Sequence, residues 1–290
     1  MYKDKIMSKY INPYTDFGFK KLFGEESNKD LLIDFVNELL QNEQKITQLT
    51  FLKTENLGAN ETDRKAVFDL YCQNDKGEKF IVELQKARQK YFKDRSLYYA
   101  SFAIQEQALK GDWDYELQAV YTISIMDFKF DEQKEEAHKF RHDVQLLDVE
   151  TKKVFYNKLR FIYLEMPKFN KTIDELTTHY EKWLFILQNL SQLDKIPEKL
   201  REKIFLKLFE AAEIAKFDTT EQRAYQDSLK YYRDWKNVMD TAIEKALDDR
   251  NVEVAKNAIL KNINNEIISA ITGLTISQIE ILRQEIEKLS

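Results

Sequence analysis

Asp69, Glu83 and Gln85 are three side chains able to do chemistry together, and the chain between them is built to bring them close. Asp75-Lys76-Gly77 suits a three-residue hairpin loop, a type I turn followed by glycine in the left-handed conformation. That loop pairs Asn74 with Glu78 and sets the register Cys72–Phe80, Leu70–Val82 and Phe68–Leu84, one wholly apolar face. By the two-residue period of strands, the opposite face pairs Asp69 with Glu83 and Val67 with Gln85. Carboxylates facing each other across a pair destabilise it unless a cation, an arginine, water or a shared proton compensates them. Two hard oxygen ligands beside an amide carbonyl suit Mg²⁺ or Mn²⁺. Such an ion activates water and neutralises charge developing on a phosphate. The plainer alternative is a solvent-facing hairpin with incidental acids. Against it, Asp69 has apolar neighbours on both sides, from Ala66 to Cys72, where an unpaired charge is costly.

The segment after Gln85 adds positive charge. Residues 86–95 hold five cations against one acid. Arg88, Tyr91, Arg95, Tyr98 and Phe102 fall on one helical stripe, with Lys90 beside it. Cations neutralise phosphates and aromatic rings stack on unpaired bases, so Arg88, Lys90, Arg95 and Tyr98 are the candidate nucleic-acid contacts. The alternative is an amphipathic helix with its rings in the core and its cations in water.

The elements that must position these groups read as a mixed α/β unit followed by helices. Thr15 or Asp16 can cap a helix over DFGFKKLF that Gly24 ends, and Ser27 with Asp30 opens a second over 28–41. Strands are expected at 46–52, 65–72, 78–85 and 117–128, a helix between Ala87 and Leu109 with Gly111 as its stop, and two further strands within 138–166. Amphipathic helices follow at about 173–192, 197–215, 219–247 and 251–263, then two short helices around Gly273, the second with a Thr275/Gln278 capping box. The expected divisions are 10–168, 169–263 and 264–290. Six Gly and three Pro in 290 residues fit this helix-rich reading. A hydrophobic share of 43% excludes a disordered chain. A net charge of −5 argues against coating DNA over the whole surface while leaving room for a local basic patch. One cysteine, Cys72, excludes an intramolecular disulfide framework. With no apolar run of membrane-spanning length, a soluble cytoplasmic protein is expected.

The order helix, strand, strand with Asp, strand with Glu-x-Gln, helix, strand resembles the PD-(D/E)XK nuclease core. TDFGFKKLFG (15–24), DRKAVFDLYCQNDKGEKFIVELQ (63–85), RSLYYAS (95–101) and ITGLTISQIEIL (271–282) resemble, more narrowly, the Rpn family of recombination-promoting nucleases, also described as PD-(D/E)XK nuclease family transposases. The resemblance implies a restriction-endonuclease-like α/β core and Mg²⁺- or Mn²⁺-dependent DNA endonuclease activity in a bacterial cell, tied to recombination or mobile DNA. It assigns Asp69 and Glu83 to the metal and Asp16 to a remote ligand, for which a helix N-cap is the alternative. Gln85 stands where the wider superfamily has a catalytic lysine. It carries no charge, so orienting water or ligating metal is the role left to it, and Phe68 replaces the nominal proline of the motif.

The competing function is a catalytically inactive, nuclease-like DNA- or protein-binding protein, and RNA is a further candidate substrate. His138 and His142 have i, i+4 spacing but lack the glutamate of a zinc-protease helix. No glycine-rich phosphate loop is present. DNA clamping and homo-oligomerisation are both open for the helical region, and the acidic second helix of the terminal pair favours packing over groove reading.

Overall fold

Thr15 starts the first helix. Its hydroxyl accepts from the Gly18 amide at 2.9 Å, and α1 (Asp16–Phe23) buries Phe19, Leu22 and Phe23. Gly24 closes it where a Cβ would stand 2.9 Å from the Lys20 carbonyl oxygen and 3.0 Å from the Leu70 side chain, so a side chain there would crowd the helix end. α2 (Lys29–Leu40) buries Leu31, Leu32, Phe35, Val36, Leu39 and Leu40 on one face. This computed structural model describes residues 8–40, 45–56, 66–87, 89–108, 114–130 and 138–288. Gly111, expected to stop the helix after Gln85, lies outside them.

The strands are β1 (Leu49–Phe51), β2 (Glu55–Asn56), β3 (Ala66–Val67), β4 (Leu70–Asn74), β5 (Lys79–Gln85), β6 (Val120–Met126), β7 (Arg141–Leu147) and β8 (Val154–Glu165). Six of them form one mixed sheet in the order β1-β4-β5-β6-β8-β7, and β2 pairs with β3 apart from it. β5, β6 and β8 run parallel to one another. β5 and β6 are buried at every position, as expected of strands covered on both faces, and in β5 that burial extends to Lys79, Glu83 and Gln85. The connection between them carries α3 (Phe92–Gln105), shorter than expected because 89–91 precede its first turn. On one sheet face, Phe92, Ala100 and Ala103 of this helix pack with Ile81, Val120, Phe161 and Tyr163.

The helices beyond 169 complete the first unit. Trp183 on α4 (His179–Asn189) lies 5.8 Å from Phe23, 5.5 Å from Phe35 and 5.2 Å from Phe205 on α5 (Lys203–Ala212), ring centre to ring centre. The chain divides into compact units between Leu229 and Lys230, whereas the divisions read from sequence fell after 168 and 263. Through this aromatic cluster Trp183 packs against α1 and α2 and Phe205 against Trp183. α6 (Thr219–Leu260) is one helix of 42 residues where two were expected. No Gly or Pro occurs within it to break it. Its start is held by Tyr225, whose hydroxyl accepts from the Asn12 amide at 3.0 Å.

In the second unit, Ala255, Ala258 and Ile259 bury Ile268 of α7 (Asn265–Thr272) and Ile279 of α8 (Ile276–Glu287). Gly273 takes the left-handed conformation, φ 74°, and the Thr275/Gln278 capping box is formed. Among the described residues, no helix is long and apolar enough to cross a membrane.

Candidate active site

The hairpin loop has the chemistry its residues call for. Gly77 sits at φ 80°, and the Asn74 amide donates to the Glu78 carbonyl at 3.1 Å. The register is the expected one as far as Leu70↔Val82. It then stops. In a continuing ladder, alternate pairs exchange backbone hydrogen bonds, so the Leu84 amide would meet the carbonyl of Phe68. Instead the chain bends at Asp69. The Phe68 amide donates to the Thr54 carbonyl at 2.9 Å, and its ring joins the α3 face, 5.1 Å from Tyr71 and 5.5 Å from Tyr99. Val67 pairs with Glu55, so the expected Phe68–Leu84 and Val67–Gln85 pairs do not form.

The Asp69–Glu83 pair is likewise absent from the ladder, and backbone amides link the two acids instead. Asp69 Oδ2 accepts the Leu84 amide at 2.7 Å, taking the place of the displaced carbonyl. The Asp69 amide donates to Glu83 Oε1 at 3.1 Å, and Gln85 Nε2 donates to Glu83 Oε2 at 3.1 Å. Glu83 is 4% exposed and Gln85 7%, on the sheet face that α3 covers. Burial, joined by the charge of Asp69, pushes the Glu83 carboxyl up to about 8 against the pull of the Asp69 amide, Arg95 and Gln85. Burial first, and then the charge of Asp16, also raises Asp69, with the Leu84 amide, Lys20 and Lys86 opposing.

Asp16 acts on Asp69 through its charge. Thr15 is the helix cap, which leaves Asp16 exposed in the first turn and ion-paired with Lys86 immediately beyond β5. Among the described residues, no three His, Cys, Asp or Glu side chains gather into a cluster of metal-binding size. Lys20, one turn after Asp16, acts electrostatically on Asp69 and was missed from sequence; the i, i+4 spacing of Asp16 and Lys20 on α1 was its only signal. Arg95 Nη2 stands 3.9 Å from Glu83 Oε2, and its guanidinium lies 4.7 Å over the Tyr99 ring, a second contact the stripe did not single out. Lys90 lies over Tyr91, and Tyr98 is exposed on α3. Arg88 lies outside the described residues.

A second buried carboxylate shows what full compensation looks like. Glu165, 0% exposed at the end of β8, accepts from the Phe130 amide at 2.8 Å, from Lys168 at 2.9 Å and from His142. Burial alone would raise its carboxyl, but Lys168, the Phe130 amide and His142 together hold it below the usual carboxylate range. His142 is thereby committed to an acid of its own sheet.

Residues 13–242 match the description of the PD-(D/E)XK nuclease family transposases. The chain belongs to that family. Its six-stranded mixed sheet with flanking helices is the restriction-endonuclease-like α/β fold of PD-(D/E)XK nucleases, and its function is nuclease-related. The matched span contains Asp16, Asp69, Glu83, Gln85 and all of α3, and ends before the terminal fragment 271–282. No curated protein and no solved structure matches the chain.

Proposed function

We propose that this PD-(D/E)XK protein is a divalent-metal-dependent endonuclease that hydrolyses DNA phosphodiester bonds, in a role tied to recombination or mobile DNA. The observation that carries the reading is the Asp69–Glu83 pair: two neighbouring carboxyls, both raised, at the end of a buried hairpin with no cation directly between them among the described residues. Two carboxylates and an amide oxygen form a small hard-oxygen donor set, of the kind that suits an ion retaining several waters and taking further oxygens from a phosphate. Mg²⁺ or Mn²⁺ fits it, held by Asp69 and Glu83 with Gln85 adjacent. When bound there, the ion would supply Lewis-acid polarisation of the phosphate and an acidified water.

The residues of the chain account for the rest. Gln85 commits its amide nitrogen to Glu83, so its carbonyl oxygen is the atom left to orient a water. Lys86 pairs with Asp16 and offsets charge at Asp69. Arg95, within reach of Glu83, neutralises a phosphate, and Arg88, Lys90 and Tyr98 extend that contact along the strand. A catalytically silent DNA-binding descendant is the competing reading, favoured by the uncharged Gln85.

Plasmid nicking by the purified chain separates the two. Mg²⁺ or Mn²⁺ is expected to support nicking, EDTA to stop it, and Asp69→Ala to abolish it. Undiminished cleavage by Asp69→Ala would overturn the assignment; metal-insensitive DNA binding without cleavage would establish the silent reading.

A further inference from the structure

A cavity of about 480 Å³ opens over the start of α3, within the range of ligand pockets. Lys90, Tyr91, Asp94, Arg95, Tyr98 and Tyr99 line it. The aromatic stripe divides here: Phe102 is half-buried, but Tyr91 is 65% exposed and Tyr98 44%. Burial of the hydrophobic core therefore does not explain those two rings. Arg95 links the cavity to the acids. Its Nη1 donates to Gln89 Oε1 at 2.9 Å, its guanidinium covers Tyr99, and its Nη2 faces Glu83 at 3.9 Å. The wall thus combines two solvent-exposed rings, Tyr91 beside Lys90 and Tyr98 edge-on to Phe102, with two cations, and Arg95 links it to the buried carboxylate.

We propose that this cavity takes one unpaired base of the strand being cut, seated against Tyr91 and Tyr98 with its phosphate on Arg95, so that the enzyme prefers DNA with unpaired nucleotides to continuous duplex. The inference rests on the nuclease reading above. Cationic walls fit a polyanion, and exposed rings fit the faces of bases. A base within a duplex is stacked and paired and reaches such a cavity only by being extruded, whereas an unpaired one enters without that penalty. Stacking accepts any base, since each has a π face. Asp94 in the wall adds an acceptor for an exocyclic amine, so the preference is for unpaired structure first and for amine-bearing bases second.

The test uses the full chain with Mg²⁺ and four end-labelled substrates of one sequence: continuous duplex, duplex with a short single-stranded gap, single-stranded DNA and single-stranded RNA. Gapped and single-stranded DNA are expected to be cut about tenfold faster than duplex, the weight of one base–aromatic stack. Tyr98→Ala and Tyr91→Ala should bring that ratio close to one, and Tyr98→Phe should restore most of it; the ratio is read within each variant, so partial loss of folded protein does not imitate the effect. Equal cutting of duplex and gapped DNA by the wild type overturns the cavity assignment and leaves the nuclease intact. Faster cutting of RNA than of single-stranded DNA overturns the choice of DNA. No cutting of any substrate overturns the nuclease reading instead. Fluorescence anisotropy with the same DNAs then decides the cavity alone: tighter binding of the single strand, lost in Tyr98→Ala, supports it, and equal binding overturns it.

Discussion

Glu83 and Glu165 are the same side chain in closely similar positions, on parallel strands β5 and β8 with β6 between them, and the protein holds them in opposite electrostatic states. Gln85, Met126 and Glu165 stand level across the three strands, so Glu83 lies two residues earlier on its strand than Glu165 on its own. Both are nearly inaccessible to water. Glu165 has Lys168, itself buried, and a backbone amide as donors, and its carboxyl is lowered. Glu83 has a second carboxylate, an amide group and an arginine that stays 3.9 Å away, and its carboxyl is raised. Burial of an acid therefore does not mark a site in this molecule. What sets Glu83 apart is burial with only a distant arginine to offset it, and on the proposed reading a bound cation would supply the rest.

The largest effect expected to sharpen this contrast is on cleavage. Glu83→Gln should lower the rate of metal-dependent nicking about a thousandfold, several kcal/mol of transition-state stabilisation. Glu165→Gln should lower it only in proportion to the folded protein lost. Comparable losses per folded molecule, measured on fractions checked by circular dichroism, would erase the distinction between the two acids.

Stability should reverse the order. Glu165→Gln leaves Lys168 buried without its anion and is expected to destabilise the fold by roughly 3–5 kcal/mol in urea denaturation. Glu83→Gln removes a carboxyl that resists ionisation and should leave stability unchanged or raised. A strongly destabilised Glu83→Gln would show that this acid is structural.

The smallest effect is a slope in pH, measured with EDTA present. For Glu83 the folded carboxyl titrates near 8 and the unfolded one near its ordinary value of 4.5. Between these the native state holds the extra proton, so its contribution is full below the unfolded value and is lost as pH rises through about 8. For Glu165 the sign is opposite: its contribution is full above the unfolded value and is lost as pH falls through the lowered folded one. Melting temperatures should therefore decline from pH 5 toward pH 9 in the wild type and decline less in Glu83→Gln. Parallel curves would mean that Glu83 ionises normally.

Local signals carried much of the fold. Turn chemistry at Asp75-Lys76-Gly77 and the two-residue period led to the correct register from Asn74–Glu78 to Leu70–Val82. The Thr15 cap, the Gly24 stop and the terminal capping box were equally local. Less legible was the departure of Phe68, because a bent and an extended Phe68-Asp69 have the same alternation; the choice depends on Thr54, Tyr71 and Tyr99, which only the folded sheet and α3 supply. The unbroken α6 was read as two helices, about 219–247 and 251–263. The packing of Trp183 across residue 168 was not legible, because its ring partners lie about 150 residues earlier in the chain.

By itself, then, the sequence determined that Asp69, Glu83 and Gln85 would meet at the end of one hairpin, and that the surrounding pattern was that of a PD-(D/E)XK protein. The first follows from short-range rules, in which residue type and spacing suffice; the second rests on the resemblance of four sequence fragments to a known family. Only the tertiary structure decided which buried acid is satisfied and which is left short of charge. Lys168 and His142 reach Glu165, Lys86 engages Asp16, and Arg95 stops short of Glu83. The ionisation of a buried carboxyl is set by the groups within a few ångströms, whatever their distance along the chain.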